Sequence, residues 1–123
     1  MTIDANIIIA YLDGERRVVS ALSRWRSEGK TLFLPTIVEA EVLSFSGWTA
    51  DERKIAELFL EENFTSISFD RVASRFAAEI RRTVKIKFPD AAIAAAALYT
   101  RTPLVTRNQK DFKNVPTLSI VVL

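Results

Sequence analysis

The chain has no cysteine and no histidine among its 123 residues, and only three glycines. Without cysteine there is no disulfide framework and no thiolate zinc site, which fits a reducing compartment. Without histidine, Ser-His-Asp and Cys-His nucleophilic catalysis, imidazole general-base work and histidine-ligated metals are excluded. Gly14, Gly29 and Gly47 cannot build a Walker A loop or a G-x-G-x-x-G turn. Long apolar runs are missing too. Charge-free stretches such as residues 91–100 reach about ten residues, well short of the roughly 18 to 20 that a membrane helix needs. The stretch "MTIDANIIIAYL" has an acid at position 4 and no basic n-region, so it does not read as a signal peptide. The expectation is a cytoplasmic protein without a membrane span, and an enzyme built from this inventory must work with carboxylates.

What is present suits one domain. With 49% hydrophobic residues, the chain can fill a single α/β core and is too short for two. Charge is near balance overall but segregated. Residues 31–70 carry two Lys/Arg against eight Asp/Glu, and residues 71–123 carry ten against three. A basic region of that kind is either a solvated surface or a seat for a polyanion.

Read by period, strands and helices alternate. "TID" is a short strand, residues 5–12 start a helix, and "ERRVVSALSRWRSEG" continues helically with Val18, Val19, Leu22 and Trp25 on one side and Gly29 as the C′ residue. "TLFLP" reads as a strand buried on both faces. Helices follow at 36–46 and 51–62, the latter with Ile55, Leu58 and Phe59 inward. "SISF" is the third strand, and a helix from about 70 to 82 carries the stripe Val72, Phe76 and Ile80. A helix at 89–100, the strand "PLVT" and the strand "LSIVVL" complete the pattern. Strands separated by helices imply βαβ units: a single-domain, three-layer α/β/α fold with a mostly parallel sheet of about four to five strands.

In such a sheet, ligands bind beyond the carboxyl ends of the strands, near the point where strand order reverses. Asp4 ends the first strand, Glu41 lies in the helix after the second, Asp90 opens the helix before the fourth, and Asp111 follows the fourth. Helical spacing places Glu41 within the stripe Val38, Val42 and Phe45, with Glu39 about 200° away. Asp90 leads Ile93, Ala94, Ala97 and Leu98, and Asp4 leads Ile7, Ile8 and Tyr11. Three helices are thus expected to turn a carboxylate inward, which costs several kcal/mol unless a cation or donors compensate. Helix capping is the competing explanation for Asp4 and Asp90, and turn chemistry for Asp111 and Asn108. A mid-helix glutamate is not a cap.

The fragments "IDANIIIAYL", "LPTIVEAEVLSF", "RRTVKIKFPDAAIAAAAL" and "LVTRNQKDF", in this order and at these separations, resemble the PIN domain, in particular the VapC-type toxin ribonucleases of prokaryotic toxin–antitoxin pairs. The resemblance covers essentially the whole chain. It implies that Asp4, Glu41, Asp90 and Asp111 are the catalytic, metal-binding acids of an endoribonuclease using one or two Mg²⁺ or Mn²⁺ ions. It further implies RNA as substrate, a cognate antitoxin as inhibitor, and a homodimer. Two departures stand out. Ala5 supplies no hydroxyl where many relatives have Thr or Ser, and Asn108 stands where some have Asp, leaving Asn108 and Asp111 as alternatives for the position nearer the metal.

Hard divalent ions suit a cluster of oxygen ligands, because they relieve the repulsion among carboxylates. Substrate phosphates need cations outside that cluster. Arg71, Arg75 and Arg82 fall within about 40° of one another on their helix, and Lys87, Arg107 and Lys110 flank the acids in sequence. Asn6 and Thr106 are further candidates for shaping the site. Ordinary solvation is the alternative for each cation, particularly where Arg75 can pair with Glu79. Two other functional classes compete with the nuclease. A receiver domain would need an adjacent acidic pair after the first strand, where "TIDAN" offers one acid. A non-catalytic PIN-like module binding protein or RNA is left open by Ala5 and Asn108.

Overall fold

The computed structural model describes residues 1–123. Five short strands alternate with seven helices: β1 (Thr2–Ile3), α1 (Ala5–Leu12), α2 (Arg16–Ser27), β2 (Phe33–Pro35), α3 (Thr36–Leu43), α4 (Ala50–Asn63), β3 (Thr65–Ile67), α5 (Arg71–Thr83), α6 (Phe88–Thr100), β4 (Leu104–Thr106), α7 (Gln109–Phe112) and β5 (Ile120–Val122). The sheet order is β3-β2-β1-β4-β5 and every pairing is parallel. From β1 the chain steps outward to β2 and β3, then returns to place β4 on the other side of β1. Strand order therefore reverses between β1 and β4, with Thr2 opposite Leu104 and Ile3 opposite Val105.

Local chemistry accounts for the element ends. At the close of α2, Gly29 takes φ +76°, and the Gly29 and Lys30 amides donate to the carbonyls of Arg26 and Trp25. This is the left-handed stop that glycine permits. Helix α4 opens with a reciprocal capping box between Thr49 and Glu52. In α6 all side chains from Ala91 to Ala97 are buried. Small side chains let this helix sink among its neighbours, where a Leu-rich helix would be held further out. Ile3, Ile7, Ile8, Leu34, Ile93, Leu104 and Phe112 fill the core around it.

Several expectations about facing are corrected. In α4, Ile55 is 66% and Leu58 46% exposed, and the buried ridge is Ala56 and Leu60, with Phe59 half-buried and stacked on Tyr11 at 4.8 Å. In α5, Val72 and Phe76 are exposed, while Ala73, Ala77 and Ile80 are buried. In both helices an alanine-bearing ridge meets the core, because it allows a closer approach than the bulkier ridge beside it. Helix α3 ends at Leu43 rather than 46, leaving Phe45 60% exposed. Val19 is half-buried rather than buried, and β3 starts one residue before "SISF". The helical turn α7 was not expected; it lifts Asp111 out of a plain turn. No helix is long and apolar enough to cross a membrane.

Candidate active site

Asp4 is the fixed point of the site. Its backbone N–H completes the ladder by donating to the Val105 carbonyl at 3.0 Å, at the carboxyl end of β1 beside β4. The side chain, 5% exposed, has both oxygens engaged. Oδ1 accepts from the Ala5 amide at 2.7 Å, and Oδ2 accepts from Asn6 Nδ2 at 3.0 Å and Thr106 Oγ1 at 2.6 Å. Asp4 is therefore both the cap of α1 and a carboxylate held at the strand-order reversal. No buried side-chain nitrogen or oxygen lacks a partner, so these donors meet the burial cost without an ion.

Asn6 and Thr106 hold that corner together. Thr106 is fully buried at the end of β4, and its Oγ1 also accepts from the Asn108 amide at 3.0 Å. Asn6 Oδ1 accepts from the Arg107 amide at 3.1 Å. One amide side chain thus joins the β1–α1 junction to the β4–α7 loop, 101 residues away in the chain.

The other three acids lie around Asp4 on a more open rim. Burial pushes the Glu41 carboxyl above the ordinary carboxylate range, and the charges of Asp4 and Asp90 add to the effect. Asp90 is raised by burial, then by Asp111 and Asp4, against an opposing pull from Lys87. Carboxylates from four separate elements therefore share one electrostatic environment. No three Asp or Glu side chains converge closely enough to enclose an ion without movement. The donor chemistry still fits a hard divalent cation: every candidate ligand is oxygen, and the mutual repulsion is what such an ion relieves.

Two expectations about these acids change. Glu41 is exposed and Glu39 half-buried, the reverse of the order that spacing suggested. The carboxyl nevertheless reaches toward Asp4 and Asp90, so it is partly desolvated while the residue as a whole stays open to water. Asp90 does not cap α6: the N-cap is Lys87, and Asp90 is the third residue of the first turn without a capping hydrogen bond. Its carboxylate is well placed for the helix dipole and free of other duty.

The cations divide into engaged and free. Arg107 makes a forked pair with Glu15, holding the Glu15 carboxyl below the ordinary range, so its guanidinium is committed to the α1–α2 turn rather than open to phosphate. Arg75 is not bridged to Glu79, and Arg71, Arg75 and Arg82 are exposed. Lys87 and Lys110 line a cleft of about 480 Å³ that also contains Asp90 and Asp111. Arg81 and Lys85 line the same cleft; sequence reasoning missed both. The alternation in "KIK" could have shown Lys85 on the side of Lys87. Asn108 starts α7 without a side-chain capping bond.

An all-parallel α/β/α sheet with acids gathered where strand order reverses defines a class of small carboxylate-bearing α/β domains. The PIN domain profile matches residues 1–118, and the chain belongs to the PIN domain family. No curated protein matches it significantly. Among solved structures, the chain is similar to a chain of VapBC2 from Rickettsia felis bound to a promoter DNA fragment, with 22% identity, TM-score 0.84 and coverage of 99% of this chain and 97% of that one. It is also similar to a chain of a toxin–antitoxin complex from Klebsiella pneumoniae (28% identity, TM-score 0.82, 98% and 94% covered). A third likeness is to VapBC-1 from nontypeable Haemophilus influenzae (24% identity, TM-score 0.81, 98% and 96% covered).

Proposed function

We propose that this PIN domain is a VapC-type toxin, a metal-dependent endoribonuclease held in check by a cognate antitoxin. The reading is supported by the near-complete overlap with toxin–antitoxin structures. It is carried by one observation within the chain: beyond burial, Asp4 and Asp90 raise Glu41, and Asp111 and Asp4 raise Asp90, so four acids separated in sequence act on one another in one place. Such crowding is costly unless it serves a cation.

Asp4, Glu41, Asp90 and Asp111 would hold one or two Mg²⁺ or Mn²⁺ ions. A bound ion of this kind lowers the pKa of its water and stabilises charge on a phosphoryl oxygen. The chain supplies position. Asp4, fixed by Ala5, Asn6 and Thr106, cannot swing away from the end of β1. Glu41, beside Asp4 and Asp90, would act as a ligand or orient the attacking water and receive its proton. The water oxygen bonds to phosphorus as the bond to the leaving oxygen breaks. Lys87, Lys110, Arg81 and Lys85 line the acidic cleft and can receive the flanking phosphates, whose charge the acids alone would repel.

Protein partners belong to the same proposal. Ile9 on α1 and Ile55 and Leu58 on α4 leave apolar surface on two helices joined by the Tyr11–Phe59 stack. An antitoxin covering such surface, and a homodimer of the toxin, are consistent with the chain's likeness to complexes. The decisive experiment incubates the purified protein with total RNA in Mg²⁺ or Mn²⁺ and in chelator, beside Asp4→Asn. Cleavage that needs both the metal and Asp4 is expected. Its absence would favour a non-catalytic PIN-like binding module.

A further inference from the structure

Beside the acidic cleft lies a second cleft of about 560 Å³, bordered by Phe69, Phe88, Arg81 and Arg82 together with small residues of α5. The two rings are 38% and 47% exposed and meet edge to face, with centroids 5.7 Å apart at 84°. An edge-to-face pair leaves ring face uncovered. Phe69 follows β3 at the carboxyl edge of the sheet, and Phe88 is the first residue of α6, two before Asp90. Arg81 lines both clefts, so the aromatic pair is continuous with the cleft that holds Asp90 and Asp111.

We propose that Phe69 and Phe88 form a stacking subsite for an unpaired base of single-stranded RNA, adjacent to the carboxylate cluster. The inference rests on the ribonuclease reading and adds to it a place where one unpaired base is seated on exposed ring surface. Charge selects the occupant. Arg81, Arg82, Lys85, Lys87 and Lys110 border the two clefts, and none is in an ion pair. A second copy packed here about a two-fold axis would bring the same cations face to face, whereas a nucleic acid strand brings phosphates. Stacking of this kind tolerates any base.

The test measures binding of a labelled, roughly 12-nucleotide single-stranded RNA by fluorescence anisotropy, using the full chain carrying Asp4→Asn so that the strand stays intact. Phe88→Ala should weaken binding about 5- to 100-fold, and Phe88→Tyr should restore it. A strand of the same length made of abasic residues should bind both proteins equally. Arg81→Gln should lower the salt dependence by about one counterion, which Phe88→Ala should leave unchanged. Unchanged affinity in the Phe69→Ala, Phe88→Ala double variant, with Asp4-dependent cleavage intact in the parent background, overturns the subsite alone. Conversion of a dimer to a monomer by Phe88→Ala also overturns it, because the rings then face a second copy. If the parent neither binds the strand nor cleaves RNA with metal, the ribonuclease reading fails and this subsite fails with it.

Discussion

The site has two unlike regions. The Asp4 corner is buried and tied on every side: both carboxylate oxygens are hydrogen-bonded, and the Thr106 and Asn6 side chains clamp it across the β1–β4 junction. The rim formed by Glu41, Asp90 and Asp111 is more open, and Glu41 and Asp90 are shifted upward by burial and like charge, with no protein donor bonded to either carboxylate. The corner is stable in itself. The rim is electrostatically crowded, a cost that protonation or a cation would relieve. On the proposed reading, Asp4 would be the preorganised ligand and the rim acids the adaptable ones.

The comparison is broken most severely by loosening the corner. Thr106→Val removes the shortest bond to Asp4 and leaves the Asn108 amide without its acceptor. We expect a loss of about 10- to 100-fold in metal affinity or cleavage, and a destabilisation of about 1 to 3 kcal/mol. Metal titration followed by thermal shift separates the two effects; loss of stability with an unchanged metal midpoint would give Thr106 a structural role only.

The rim is probed by pH. A raised folded pKa means that the folded chain holds more protons than the unfolded chain between the ordinary value, 4.5 for Glu41 and 3.8 for Asp90, and the raised one. Stability is therefore undiminished below that window and falls as pH rises through it. In chelator, Glu41→Gln or Asp90→Asn should flatten the decline in melting temperature above pH 4.5. Asp90→Asn should cost no cap, since none is present. A slope equal to that of the parent would show that the rim is not strained.

The smallest effect is expected at the exposed Arg107–Glu15 fork. Glu15→Gln should leave the melting temperature unchanged, because an exposed pair contributes little. By releasing Arg107 beside the corner, it should raise the salt dependence of RNA binding by up to about one counterion.

The four acids were legible as candidates because each stands where a strand or helix junction meets the expected ligand edge. The division of labour among them was not. Spacing assigned Glu41 an inward face, but the residue is exposed overall, with only its carboxyl partly desolvated near Asp4 and Asp90. Capping competed with a site role for Asp90, but α6 is capped at Lys87 and Asp90 lies in its first turn. Alanine ridges rather than the largest apolar residues face the core in α4 and α5, since periodicity finds two neighbouring ridges and only packing chooses between them. Arg81, Lys85, Phe69 and Phe88 join clefts only after α5 and α6 are packed together.

By itself the sequence determined the α/β class, the order of strands and helices and the absence of thiol and imidazole chemistry, since periodicity, turn residues and composition are local properties. Tertiary structure decided which helix ridge is buried, that Arg107 is bound to Glu15, and that Asn6 and Thr106 meet on Asp4 from about a hundred residues apart. Those outcomes depend on which strands become neighbours, and that is settled by the packing of the whole chain rather than by any segment of it.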